Sequence, residues 1–139
     1  MSDAHGPAVM GILNVTPDSF SDGGLHYDRA VAIDAALRME QDGAAIIDVG
    51  GESTRPGSDT VSIDEELSRV IPVIEGIRAR SGVRISVDTR KAEVAAAALD
   101  AGADMVNDVT ALRDPELRAL VASRGVQVIL MHMRGEPKT

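Results

Sequence analysis

The sequence predicts an α/β protein whose strands all run parallel, and three observations carry that prediction. One unit recurs along the chain: a helical stretch, a glycine, then a short apolar run ending in a polar residue. The apolar runs are rich in Val and Ile and do not alternate with polar residues, the pattern of strands covered on both faces. The segments between them carry recognisable helix ends, and strands that alternate with helices return parallel.

The elements follow in order. Residues 9–14 form an opening strand with no helix before it. Asp28 is a candidate N-cap for a helix whose Ala30, Ile33 and Leu37 share a face, stopped by Gly43. Residues 45–48 then read as a strand. Ser62 and Glu65 have capping-box spacing for the next helix, and Pro72 inside it removes a backbone donor and predicts a kink. Gly82 leads into a strand over 83–88. An alanine-rich helix over 91–101 ends at Gly102 and precedes a strand over 105–108. Asp114-Pro115 is an N-cap followed by proline at the first helical position, with Leu117, Leu120 and Val121 facing inward. Gly125 leads into a last strand over 126–132. This order suits an eight-stranded β/α barrel or an open doubly wound sheet; both gather ligands at the carboxyl ends of their strands. No linker, repeat boundary or low-complexity tract divides residues 1–139, so a single domain is expected.

Composition narrows the function. At 44% hydrophobic and 26% charged residues the chain has the balance of a folded domain rather than a disordered one. A net charge of -8 argues against a nucleic-acid binder, which needs a basic face to neutralise phosphates. There is no cysteine, hence no disulfide, thiolate metal site or thiol nucleophile. Residues 1–8 lack a basic segment followed by an apolar one, and no apolar run approaches membrane-spanning length. A cytoplasmic, membrane-free protein is the expectation.

Asn14, Asp48, Asp88, Asn107, Asp108 and His132 all fall at or near the carboxyl ends of apolar runs. One such residue caps a turn more often than it makes a site. Five strands ending alike point to a shared site. Two loops add to it. The segment 16–24 holds Phe20, the chain's single phenylalanine, among polar residues and glycines, with Asp22 beside it. The segment 50–57 combines three glycines, hydroxyls and Arg55, whose guanidinium fork suits a carboxylate or phosphate. No phosphate-binding lysine loop, His-Glu-x-x-His zinc motif or serine nucleophile elbow is present. His5 and His26 lie in a terminal tail and a turn; for His132 a structural and a site role are equally open.

The stretches MGILNVTPDSFSDGG (10–24) and IDVGGESTRPG (47–57) resemble the signatures of the dihydropteroate synthase family, followed in the same order by ISVDT (85–89), VND (106–108) and LMHM (130–133). The likeness covers residues 9–139. It implies a parallel β/α (TIM) barrel, here its first five strands and four helices, and a transferase that joins 6-hydroxymethyl-7,8-dihydropterin diphosphate to 4-aminobenzoate and releases diphosphate. By the same resemblance Asn14 is a magnesium ligand, Asp88 and Asn107 hydrogen-bond the pterin ring, and Thr54 contacts substrate. Phe20, Asp22, Arg55 and Pro56 build the aminobenzoate site, where sulfonamides compete. Magnesium is the implied cofactor, and a homodimer the implied state of the full-length protein.

A β/α barrel takes about 250 residues, and this sequence stops after the fifth strand, before the family's later aspartate, Ser-Arg-Lys and Arg-x-His segments. A piece of a longer barrel, inactive by itself, is therefore expected. Two other readings follow from the same residues: a truncated, non-catalytic pterin-binding module, and a folate-binding methyltransferase of the same superfamily. The 16–24 loop speaks against the last, because it resembles an aminobenzoate loop rather than a surface for a corrinoid partner.

Overall fold

The computed structural model describes residues 9–15, 25–51, 62–108 and 114–129, the side chains of 25–28 aside. Nine elements alternate strictly: β1 (Met10–Asn14), α1 (Leu25–Gln41), β2 (Ile46–Gly50), α2 (Ile63–Arg80), β3 (Arg84–Asp88), α3 (Ala92–Ala101), β4 (Met105–Asn107), α4 (Pro115–Arg124) and β5 (Gln127–Ile129). The strands form one sheet in the order β1-β2-β3-β4-β5, every pair parallel. This sequential order decides between the two architectures. A doubly wound sheet reverses direction at a switch point, whereas a β/α barrel adds each strand beside the last. The fold is the first five strands and four helices of a β/α barrel.

Strand side chains alternate between two faces. Leu13, Ile47, Val49, Ile85, Val87 and Val106 point to the helices and share one core with Ala32, Ala36, Val70, Ile74, Ile77, Val94, Ala98 and Leu117. The intervening residues line the opposite, concave face. Among the described residues that face is only partly covered: Ile12, Arg84 and Gln127 are exposed on it. The expectation of strands covered on both faces thus holds for the helix side, while the concave side carries the polar groups.

Helix ends follow their capping chemistry, with two corrections. Ser62 Oγ accepts from the Glu65 amide at 3.1 Å, and Asp114 accepts from the Glu116 amide at 2.9 Å with Pro115 in the first turn. The Glu65 carboxylate does not return to Ser62; it takes Arg69 at 2.6 Å one turn along, so half of the capping box forms. Asp28 is not the start of α1, which begins at Leu25. The buried stripe of α1 shifts with it to Ala32 and Ala36, flanked by Ile33 and Met39, while Ala30 is exposed. Close packing explains the small residues: a Cβ on Gly76 of α2 would collide with Ile33 of α1. α2 continues through Pro72 without interruption.

At the amino-terminal end of the sheet Arg78 ties the α2–β3 connection to the α3–β4 connection. Its guanidinium donates to the carbonyls of Gly102, Val83 and Ser81 and to Asp104, whose carboxylate also accepts from the Ile85 amide. Groups at that end of a β/α barrel serve stability rather than catalysis.

Candidate functional site

The carboxyl ends of the strands line up in one row. The pairing register runs Asn14–Gly50–Asp88–Asn107–Ile129 across the five strands. All five lie on the concave face, because each neighbours a residue that packs into the helix-side core. Asn14, Asp88 and Asn107, drawn from three sequence-distant strands, therefore share one edge of one face. Asn14 is exposed, Asp88 half-buried and Asn107 buried.

Gly50 makes this row possible. A Cβ at position 50 would approach the Asp88 carboxylate to 3.4 Å and its Cβ to 3.2 Å, so the missing side chain leaves Asp88 the space between Asn14 and itself. The adjoining backbone is tied down. Val15 donates to the Gly50 carbonyl at 2.7 Å, and Arg69 of α2 donates to the Gly51 carbonyl at 2.9 Å. Thr89, next to Asp88, donates its amide to the Asn107 carbonyl at 3.2 Å.

One layer below the row, Asp48 of β2 is 2% exposed and reaches β3 and β4. Its Oδ1 accepts from Ser86 Oγ at 2.5 Å and its Oδ2 from Asn107 Nδ2 at 3.1 Å. Burial pushes the Asp48 carboxyl above the ordinary carboxylate range, and the Ser86 and Asn107 hydrogen bonds pull it back only in part. The Asn107 Oδ1 is buried with no hydrogen-bond partner. An unsatisfied buried acceptor costs about 1–3 kcal/mol, and such groups concentrate where a ligand completes the bond.

The raised Asp48 carboxyl has a stability consequence with a definite sign. The folded state holds the proton to higher pH than the unfolded chain, so between the two pKa values it binds more protons. Stability accordingly falls as pH rises from the ordinary carboxylate range, near 3.8, through the raised folded value. Asp48→Asn should flatten this slope and make the protein more stable at neutral pH. Denaturant midpoints across the acid range, mutant beside parent, check it; a mutant less stable than its parent at pH 7 would show that the carboxylate is held without net cost.

A second buried carboxylate supports the rim. Glu66, in the first turn of α2, is fully buried and accepts from Lys91 Nζ at 2.8 Å. Lys91 follows β3 three residues after Asp88 and occupies the N-cap of α3. Neither residue, nor Ser86, stood out in the sequence. Ser86 was open to detection, because it lies two residues before Asp88 and must share its face. The Glu66–Lys91 pair, 25 residues apart, had no local signal.

Of the other residues singled out, Phe20, Asp22, Thr54, Arg55, Pro56 and His132 lie outside the described residues. Asp108 is buried at the end of β4. No group of three or more metal-ligating His, Asp or Glu side chains occurs among the described residues. No helix among them is long and apolar enough to cross a membrane.

Comparison with known proteins agrees with this geometry. The chain is 55% identical over 137 residues to dihydropteroate synthase of Escherichia coli, covering 99% of this chain and 49% of that protein. It is 63% identical over 132 residues to a probable bifunctional folylpolyglutamate synthase/dihydropteroate synthase of Haloferax volcanii, covering 95% of this chain and 16% of that one. Among solved structures, Xanthomonas albilineans dihydropteroate synthase with 4-aminobenzoic acid superposes with a TM-score of 0.87 at 55% identity, over 94% of this chain and 48% of that chain. The chain thus spans about half the length of the single-function relatives it matches. The model of the pterin binding enzyme family matches residues 10–139, nearly the whole sequence; with its sequential parallel sheet and its row of Asn14, Asp88 and Asn107, the chain belongs to that family.

Proposed function

We propose that this chain supplies the pterin-binding side of a dihydropteroate synthase-type site. There the amine of 4-aminobenzoate attacks the methylene of 6-hydroxymethyl-7,8-dihydropterin diphosphate. A carbon–nitrogen bond forms, the carbon–oxygen bond to diphosphate breaks, and the amine loses a proton. The observation that carries the reading is the concave row, in which the Asp88 carboxylate and the unpartnered Asn107 Oδ1 lie on neighbouring strands. Two acceptors side by side suit a heterocycle whose edge presents several N–H donors. Departure of diphosphate leaves positive charge on the pterin methylene, and an ionised Asp88 favours that charge.

Magnesium fits the same row. Asn14 is exposed on the concave face beside Gly50, and its amide oxygen is a hard, neutral donor. An ion that keeps several waters and takes phosphate oxygens needs few protein ligands, which agrees with the lack of a carboxylate cluster among the described residues. When bound, magnesium neutralises the leaving diphosphate. In this reading Phe20, Asp22, Arg55 and Pro56 form the aminobenzoate subsite and Thr54 contacts substrate. The complete barrel works as a cytoplasmic homodimer.

Calorimetry tests the reading. The parent should bind free pterin without metal and the pterin diphosphate more tightly with magnesium. Asn14→Ala should weaken the magnesium-dependent increment by about tenfold or more and leave free pterin almost unchanged. Equal losses for both ligands would mean that Asn14 shapes the pocket rather than holding the ion, and a parent blind to every pterin would remove the reading itself.

A further inference from the structure

The Asn107 side chain is an amide, and an amide can present either its oxygen or its nitrogen to a ligand. Which end faces the site is settled by the neighbour on its other side. Here that neighbour is Asp48, whose Oδ2 takes the Asn107 Nδ2 at 3.1 Å while its Oδ1 takes the Ser86 hydroxyl at 2.5 Å. Both Asp48 oxygens accept, one from each of these partners, so the Asn107 NH2 turns toward Asp48 and the Oδ1 turns away. The Oδ1 is left buried and unpartnered on the concave face, across the strand pairing from Asp88. Ser86 completes the arrangement by occupying the other carboxylate oxygen, which keeps Oδ2 for Asn107.

We propose that Asp48 and Ser86 are specificity-determining positioning residues: they hold the Asn107 amide with its oxygen toward the ligand, so that the site accepts a heterocycle bearing an N–H donor at this point and rejects one bearing an acceptor. The proposal deepens the pterin reading and rests on it for the identity of the heterocycle. Neither residue touches the ligand in this account. Both act through Asn107.

Asp48→Asn is the informative variant because it preserves shape and removes the obligatory acceptor. An asparagine at position 48 can accept from Asn107 in one orientation and donate to it in the other, so the amide is no longer held one way. The ligands are pterin and a set of analogues, each lacking one N–H or carrying a nitrogen acceptor in its place. Against the parent, one analogue should bind about tenfold more weakly than pterin, the loss of one well-made hydrogen bond. Against Asp48→Asn, that ratio should collapse toward one. Ser86→Ala should move the ratio in the same direction by less, and Ser86→Thr, which keeps the hydroxyl, should restore it. Damage to the pocket at large lowers all affinities together and leaves the ratio intact, so an unchanged ratio overturns the proposal.

A second measurement needs no ligand. The two Asn107 side-chain amide protons, assigned in nitrogen-15 spectra by their loss in Asn107→Asp, should exchange slowly in the parent and much faster in Asp48→Asn. If the parent binds no pterin while these protons are protected, the pterin reading fails and the positioning stands. If they exchange at the same rate in both proteins, Asp48 does not hold the amide.

Discussion

Asp88→Asn, introduced into a polypeptide that carries the whole barrel, is expected to lower turnover by about a hundredfold or more, the usual cost of deleting one preorganised electrostatic partner of a transition state. The substitution keeps size and shape. Gly50 still leaves its space, and the register with Asn107 is a backbone property that a side-chain change does not touch. What goes is the negative charge. The loss should therefore fall mainly on turnover, with pterin affinity changed far less, because charge on the methylene develops only as diphosphate departs. Product formation by mutant and parent at saturating substrates reads this directly. Near-parental turnover would leave Asp88 as a structural residue whose carboxylate only spaces the strands.

The fold was legible because its signals are local. After the first, each strand is a short apolar run led by a glycine, and β1 to β4 lie within two residues of their expected bounds. Barrel and doubly wound sheet could not be separated on that ground, since strand order is set by how crossovers stack and not by any one segment. The α1 face was misjudged for a related reason. Reading the helix from Asp28 placed Ala30 inward, whereas a start at Leu25 and close packing against α2 turn Ala32 and Ala36 to the core.

The site was legible at its row and obscure in its support. Asn14, Asp88 and Asn107 end their strands, and strand ends are where this architecture places ligands. Asp48 also looked like a strand-end residue; β2 instead continues to Gly50, which sets Asp48 one layer down, beneath Asn107 and beside Ser86. That two-residue shift turns an apparent ligand contact into a buried support. The Glu66–Lys91 pair had no sequence signal, because Glu66 is one of three acidic residues in the first turn of α2 and resembles ordinary dipole-favoured capping charge. Only the fold shows that it alone of the three is buried.

Lys91→Met should produce the largest stability loss of any single substitution at this end of the sheet, about 3–5 kcal/mol, the cost of leaving a buried charge without its partner. Glu66 is fully buried, its Oε1 takes the Lys91 ammonium at 2.8 Å, and its Oε2 has no hydrogen-bond partner. With only one of its two oxygens satisfied, the carboxylate has no donor in reserve if the ammonium goes. Lys91 itself sits at the N-cap of α3, where the helix dipole disfavours a cation and where its side chain makes no capping bond. The ion pair offsets that disfavoured position and ties the start of α2 to the connection that follows Asp88. Replacing both residues, Glu66→Leu with Lys91→Met, should cost less than Lys91→Met alone, because no charge is then stranded. Urea denaturation of the two single mutants, the double mutant and the parent closes the cycle. A Lys91→Met protein within about 0.5 kcal/mol of its parent, the range of ordinary surface substitutions, would mean that the pair does not hold the rim.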